Sequence, residues 1–389
     1  MPLSIAHLSF SRIGGAGAVA AVLSEAQRAA GHDSRHVWAI ESTLWSEPFS
    51  APVHTMAAGL DQFMIREKGF DAPISLVRDT LRWDLDAALG GADIIHLHNL
   101  NGLSRVGALA RTFPQKKIVW TLHDMNPFTG ACHYTLGCKR YTQGCSSCPA
   151  VKLPFRGLVE TSFERKLSDL EQVENLHLVA PSSWLADAAR KSRLMSRFPL
   201  STIHNPLDPE FFSSDKKKPS PLFTFVVVAQ NLEDPVKNIS TAVHAFAEVR
   251  REHPEVTMAL VGRGGSSFAG EGIYLLGSLG RRELSETLQS SQALVVPSLA
   301  ENAPMVIAEA ASQGCLALVR DAGGMPGMIK DLGAGQSFAD LRELTGAMAG
   351  ILSQKNSKSL ASRQALTRRA ESLYSPEAVR KQYDKVYER

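Results

Sequence analysis

A chain of 389 residues at 44% hydrophobic content is long enough for two domains with full cores, and it is not a disordered composition. Its 42 basic residues against 39 acidic ones leave a net charge of +3, so the charge balance points to no nucleic acid partner. The first residues, MPLSIAHLSF, lack the layout of a signal peptide and no apolar run approaches 18 residues, so a cytoplasmic chain with no membrane span and reduced cysteines is expected.

In chain order, short apolar strands alternate with helical patterns. Strands are predicted at Ser4–Phe10, His36–Ile40, Ile94–His98, Ile118–His123, His177–Ala180 and Ser201–Ile203, with a first helix from about Gly17. The cycle restarts at Phe223–Ala229, Met258–Val261, Ile273–Leu276, Leu294–Pro297 and Leu316–Val319. Such alternation predicts α/β layers with parallel sheets. NPLDPEFFSSDKKKPSP between the halves, rich in Pro, Ser and Lys, reads as a linker. The division is residues 1–205, residues 206–374, and a terminal helix over 375–389 opened by Ser375-Pro376-Glu377.

The first strand runs into a glycine loop in which Gly15 and Gly17 let the backbone approach a phosphate. Gly15 to Ala20 also fits G-x-G-x-x-A, and Glu41 stands where a ribose acid could sit, so a nicotinamide-dependent oxidoreductase is a rival reading. Tight strand–helix packing would equally ask for these glycines. His96 and His98 are two apart on a strand and share a face; a zinc pair is one reading, hydrogen-bonded imidazoles at a strand end the simpler one. His123, with Asp124 beside it, ends a strand at the carboxyl edge where α/β ligand clefts lie; a satisfied core histidine is the alternative. Cys132, Cys138, Cys145 and Cys148 come next in the pattern C-x5-C-x6-C-x2-C, open to a tetrahedral structural zinc, free thiols or disulfides, while Cys315 reads as core. A helix from Ser182 or Ser183 carries Arg190, Lys191, Arg193 and Arg197 among apolar residues; it reads as an ordinary surface helix or as one lying on anionic membrane.

In the second half, a buried strand leads into a loop holding Lys237, a lysine able to neutralise a diphosphate. Arg263 could add charge from the neighbouring loop. Over Val295 to Gly324 a strand, a loop and a helix are predicted, the helix beginning near Pro304 with Asn302 as its N-cap and ending at Gly314. Glu301 and Glu309 bracket its start, Glu309 about 7.5 Å inside at 1.5 Å per residue. The free N–H groups of this helix start, which runs through Asn302, Pro304 and Met305, make an anion site flanked by carboxylates that accept from hydroxyls, Pro304 itself having no N–H to offer. A nucleotide sugar has that layout, although two ordinary surface glutamates would fit the spacing as well.

This stretch resembles the Glu-x7-Glu motif of retaining glycosyltransferase family 4, with its PS…EN…P…EA…G frame and the Gly323-Gly324 pair beyond it. The resemblance implies a GT-B fold, two Rossmann-like domains facing a central cleft, with the terminal helix crossing back to the N-terminal domain. It implies Glu301 beside the donor sugar, Glu309 on the ribose, Gly15 and Gly17 facing the diphosphate with Lys237, and His123 positioning the sugar near its reacting face. The family's arginine in GR-L-x-x-x-K-G is replaced by Gln230-Asn231, with Asn238 for its glycine. Residues 125–150 resemble the HD-M-x-PFTG-x-C…C…C-x-x-CP insertion of a branch similar to colanic acid and exopolysaccharide transferases. The implied activity is hexosyl transfer with retention, from a nucleotide diphosphate sugar on the second domain to a glycan or lipid-linked hydroxyl acceptor on the first. It belongs to cell-surface polysaccharide biosynthesis, at the cytoplasmic side with peripheral membrane contact as an open reading, and no cofactor is required for catalysis. A sugar-nucleotide epimerase of the same fold, the oxidoreductase and a non-catalytic sugar-binding protein are the rivals.

Overall fold

The computed structural model describes residues 2–12, 14–38, 60–61, 63–65, 74–77, 88–100, 106–213, 223–353 and 360–388. Ile40, Glu41 and positions 214–221 of the expected linker lie outside them. The chain forms two compact units, Met1–Pro206 with Val379–Arg389, and Leu207–Ala378.

In the first unit, β1 (Ser4–Ser9), β2 (Asp33–Trp38), β3 (Ile94–Leu97), β4 (Lys117–Thr121), β5 (Leu176–Ala180) and β6 (Leu200–Thr202) form one parallel sheet in the order β2-β1-β3-β4-β5-β6. Helices α1 (Gly15–Ala29), α2 (Val106–Thr112), α3 (Arg156–Leu170) and α4 (Ser183–Lys191) connect them. Segments such as IIHL, KIVWT and LHLVA are nearly all apolar because helices cover both faces of a parallel sheet. On one face Leu8, Ile95, Leu97, Ile118, Trp120 and Leu178 enter a large core. On the other, Ile5, Ile94, Val119 and Val179 pack against Leu23 of α1 and against Val379, Tyr383, Val386 and Tyr387 of the terminal helix, Pro376–Glu388. His7 and His96 belong to this second face by strand alternation, and the register sets His7 opposite both His96 and His36. The chain leaves β1 to opposite sides as β2 and β3, which makes the carboxyl ends of β1 and β3 a topological switch point.

In the second unit, β7 (Phe223–Asn231), β8 (Met258–Arg263), β9 (Ile273–Gly277), β10 (Ser291–Val296), β11 (Leu316–Arg320) and β12 (Gln336–Phe338) form a second parallel sheet, ordered β12-β11-β10-β7-β8-β9. Helices α5 (Ile239–Glu252), α6 (Arg281–Gln289), α7 (Met305–Ser312), α8 (Met325–Leu332), α9 (Leu341–Ser353) and α10 (Leu360–Tyr374) flank it. Ile307, Ala308 and Ala311 of α7 pack on Val226, Leu294 and Val296. Ala242 and Phe246 of α5 pack on Phe225, Val227 and Val295 across the sheet. Here the order reverses between β7 and β10. No helix among the described residues is long and apolar enough to cross a membrane.

Candidate functional site

In the second unit two of the candidate side chains, Lys237 and Glu301, meet at the β7–β10 switch point. After β7 a short 3-10 turn, Pro235–Lys237, is opened by Asp234, whose carboxylate accepts from the Val236 N–H at 2.9 Å. Asn238 closes it in the left-handed region (φ 52°), and its side-chain amide donates to the Pro297 carbonyl. The Leu299 N–H donates to the Val236 carbonyl at 2.8 Å. These bonds fasten the Lys237 turn to the loop after β10, and Lys237 Nζ donates to Glu301 Oε1 at 2.5 Å. Lys237 and Glu301 side chains are 28% and 10% exposed, so this is a sheltered, charge-assisted bond rather than a surface ion pair. A Cβ on Gly323 would stand 1.9 Å from the Glu301 carbonyl, and Gly323 sits at φ +60°, so only glycine lets this loop close against Glu301.

The expected cap is corrected. Pro304, extended at φ −66° and ψ 118°, occupies the N-cap position of α7, and no side chain caps the helix. Asn302 is buried and engaged, but not as the cap. The first N–H groups from Met305 onward are thus left without side-chain partners at the helix start. Glu309 is the fifth of the eight residues of α7. Burial pushes its carboxyl up to about 7, opposed by Arg281 and reinforced by Asp208, whose carboxylate already pairs with Arg281 at 3.0 Å. Arg263 ends β8, exposed and in register with the equally exposed Asn231.

In the first unit His123 comes just after β4 and lines a pocket with Asn99, Trp120, Asp124, Lys166 and Asp169. Burial pushes His123 down to about 4, against the pull of Asp124, so its imidazole is neutral at pH 7. Burial works to raise Asp124, but its contacts with His133 at 2.7 Å and with the Asn126 N–H hold it below the ordinary carboxylate range. Lys166 is buried and donates to the Asn126 and Thr129 carbonyls, burial bringing its ammonium down to about 8. His98 and His96 do share a face, and both ring nitrogens of each are hydrogen-bonded.

The glycine loop divides. A Cβ on Gly17 would meet the Ser11 carbonyl oxygen at 2.2 Å, so close packing accounts for that glycine. The Cβ position of Gly15 is open. The G-x-G-x-x-A match therefore needs no dinucleotide, and Glu41 lies outside the described residues.

In the cysteine block Cys145 and Cys148 are buried, Cys132 and Cys138 half-buried, and all four are free cysteines. The Gly130 N–H donates to Cys145 Sγ at 3.2 Å. Hydrogen bonds from the Cys132 thiol and from the Ala150 and Val151 N–H groups bring Cys148 down to about 6, against burial. This donor set suits a thiolate-binding metal, but its spacing is looser than zinc demands. Zinc holds four sulfurs about 3.8 Å apart. Among the described residues the ligand atoms found within 4.8 Å of one another in a set of three are those of His7, His96 and His98.

The basic stretch also differs from expectation. Ser182 caps α4, but the helix ends at Lys191. Arg193 and Arg197 lie beyond it and donate to the carbonyls of Gln143, and of Leu170 and Val173. Sequence reasoning also missed Gln27, His7 and Tyr387, which surround His96 and His98 with buried hydrogen bonds.

Comparison with known proteins gives concordant findings. A model described as Glycosyltransferase Family 4 matches residues 13–211, and one described as Glycosyl transferases group 1 matches residues 223–354. A curated relative, the putative colanic acid biosynthesis glycosyl transferase WcaC of Escherichia coli strain K12, is 26% identical over 247 residues, and the match spans 58% of each chain. Sucrose-phosphate synthase from Thermosynechococcus elongatus superposes with a TM-score of 0.66 at 18% identity, over 99% of this chain and 98% of that one. HepE of Anabaena in complex with UDP gives 0.64 at 15%, over 99% and 100%. WaaG, a glycosyltransferase involved in lipopolysaccharide biosynthesis, gives 0.61 at 12%, over 98% and 99%. The fold is GT-B, two parallel-sheet α/β domains.

Proposed function

The chain belongs to glycosyltransferase family 4, and from that premise we propose that it moves a hexose from a nucleotide diphosphate sugar to a glycan or lipid-linked hydroxyl, with retention, in cell-surface polysaccharide biosynthesis. The Lys237–Glu301 bond at the switch point carries the reading. In the free protein Glu301 holds the lysine's charge in place. A bound diphosphate competes for that ammonium, and Glu301 is released to accept from sugar hydroxyls. Lys237 and the open N–H groups at Met305 then stabilise the departing diphosphate, the largest charge that develops. Glu309 accepts from the ribose diol, while Gly15 offers backbone N–H to phosphate and Arg263 a second cation. His123 positions the sugar from the first unit as a neutral imidazole, and front-face attack through an oxocarbenium-like state gives retention.

The relative HepE was solved with UDP and with UDP-glucose, which makes uridine the first base to try. A thermal-shift screen of UDP, GDP, ADP and their sugars against NAD tests the class. A ligand at 100 times its dissociation constant stabilises by about 2.7 kcal/mol. Stabilisation by NAD and by no nucleoside diphosphate would overturn it. For the cysteine block we propose a structural zinc on Cys132, Cys138, Cys145 and Cys148, which would draw the four sulfurs closer together than they stand in the free chain; the N–H groups aimed at Cys145 and Cys148 support the reading. For a lipid-linked acceptor, peripheral membrane contact through Arg190 and Lys191 is tested by co-sedimentation with anionic vesicles.

A further inference from the structure

His123 ends a row of buried imidazoles. Its Nε2 lies 3.0 Å from Nδ1 of His98. Nε2 of His98 lies 3.0 Å from Nδ1 of His7, and Nε2 of His7 lies 2.7 Å from Oε1 of Gln27. His7, His98 and Gln27 have no exposed surface. A neutral imidazole has one N–H and one lone pair, so each ring that bridges two partners donates to one and accepts from the other. The row has therefore two self-consistent senses, and the group at its far end selects one.

That group is the Gln27 amide. Its Nε2 donates to the Tyr387 hydroxyl at 3.0 Å, and its Oε1 accepts from the Ser34 hydroxyl at 2.7 Å. Ser34 is 2.9 Å from Ser24, whose oxygen accepts from Arg28, a side chain that can only donate. The Gln27 oxygen thus receives from the serine side and must receive from His7 too. The Tyr387 hydroxyl, having accepted from Gln27, donates onward to His96 Nδ1 at 2.8 Å, and His96 Nε2 meets Thr121 at 2.8 Å. With the nitrogens of His7, His96 and His98 committed in this way, the trio has no lone pair to spare for a shared metal.

We propose that Gln27, His7 and His98 form a relay that sets the tautomer of His123, fixing its proton on Nε2 and leaving Nδ1 as the ring's hydrogen-bond acceptor. Burial keeps the row neutral, as the relay requires, pushing His7 down to about 3 and His98 well below the ordinary range. Gln27, His7 and His98 are positioning residues. The use of His123 Nδ1 rests on the glycosyltransferase reading, whereas the proton positions do not.

The test is a long-range nitrogen–proton NMR spectrum of the full chain with labelled histidine at pH 7.5, in which protonated and bare ring nitrogens are well separated. Peaks are assigned with His98→Gln and His123→Gln. The relay requires Nε2–H at His7, His98 and His123, and a loss of that single form at His123 in Gln27→Leu. The same variant should lower sugar turnover about tenfold or more at unchanged nucleoside diphosphate affinity. An Nδ1–H form at any of the three in the native protein overturns the proposal, as does an unchanged His123 in Gln27→Leu. If Gln27→Leu does not fold, Tyr387→Phe, which loosens the amide, replaces it, and the native spectrum decides by itself. Correct tautomers with no transfer from any nucleotide sugar would sink the enzymatic reading and leave the relay standing.

Discussion

Glu309→Gln is expected to make the protein more stable and a worse nucleotide binder. The folded carboxyl titrates at about 7 instead of 4.5, mainly through burial, because the nearby Arg281 is shared with Asp208. At 1.36 kcal/mol per unit, that gap is about 3 kcal/mol held against the ionised folded state. Because the folded pKa is raised, the native state binds more protons than the unfolded chain between pH 4.5 and about 7, so stability falls as pH rises through that window. The penalty is absent below it and complete above it. Glutamine removes it, so at pH 8 the variant should melt about 6–12 °C higher, at about 2–4 °C per kcal/mol for a unit of this size, and at pH 4.5 the two should coincide. Nucleotide binding should move the other way. If the ribose diol needs the carboxylate, native affinity improves about tenfold from pH 6 to pH 8 as Glu309 ionises, beyond the titration of the phosphate itself. The variant should bind more weakly at pH 8 and lack that slope. Scanning calorimetry and isothermal titration at the two ends of the range decide it. A variant no more stable at pH 8 refutes the burial argument, and one that binds normally with the native pH slope refutes the ribose role.

The same geometry sets four further outcomes. Lys237→Ala should weaken nucleoside diphosphate binding and turnover together and cost about 1–3 kcal/mol by stranding the sheltered Glu301 carboxylate; a urea midpoint equal to the native one contradicts this. Glu301→Ala and His123→Ala should lower turnover by more than about tenfold with little change in nucleoside diphosphate affinity, and near-normal turnover removes either residue from the site. Gly17→Ala should destabilise the first unit, since its methyl would stand 2.2 Å from the Ser11 carbonyl, whereas Gly15→Ala, into open space, should be tolerated by the fold; thermal melts of the two variants compare them directly. Elemental analysis of protein purified without chelator should find one zinc per chain; a content near zero with four freely titrating thiols excludes it.

The alternation of strands and helices was legible because parallel strands covered on both sides must be apolar throughout. Most strands announced themselves this way, but β2 was legible only from His36, because Asp33-Ser34-Arg35 is polar, and β12 was not legible at all, since Gln336-Ser337-Phe338 at a sheet edge buries only Phe338. The frame marked Lys237, Glu301 and Glu309 as candidates, but not the 2.5 Å bond between the first two, which joins residues 64 apart and depends on how two loops are fastened. Local patterns failed where a distant partner intervened. Arg193 and Arg197 read as a helix face, yet backbone carbonyls of other segments claim them. Asn302 read as a cap because a proline and an apolar helical pattern stand just beyond it in the chain, while Pro304 itself holds the cap position. The Gln27–Tyr387 bond spans 360 residues, and no periodicity could announce it.

Both units use the same place in the same architecture, the carboxyl ends of strands where the sheet order turns, yet their electrostatics are opposite. In the first, burial strips charge. His7, His96, His98 and His123 are all driven to the neutral form, and what reaches the pocket is a polar, uncharged ring beside an ionised Asp124. In the second, charge is kept. Lys237 stays paired with a carboxylate, and even Glu309, which burial disfavours as an anion, is held close to the point of ionisation rather than far from it. Neutral acceptors and carboxylates discriminate hydroxyls by hydrogen-bond direction, which a fixed tautomer sharpens. A diphosphate is instead met by a cation and by helix N–H groups, where strength depends on charge. On the proposed reading, the division suits a transfer in which hydroxyls must be oriented at one surface and a charged leaving group stabilised at another. It also explains why an added positive charge among the first unit's imidazoles would be costly, since no carboxylate faces His7 or His96 among their hydrogen-bond partners.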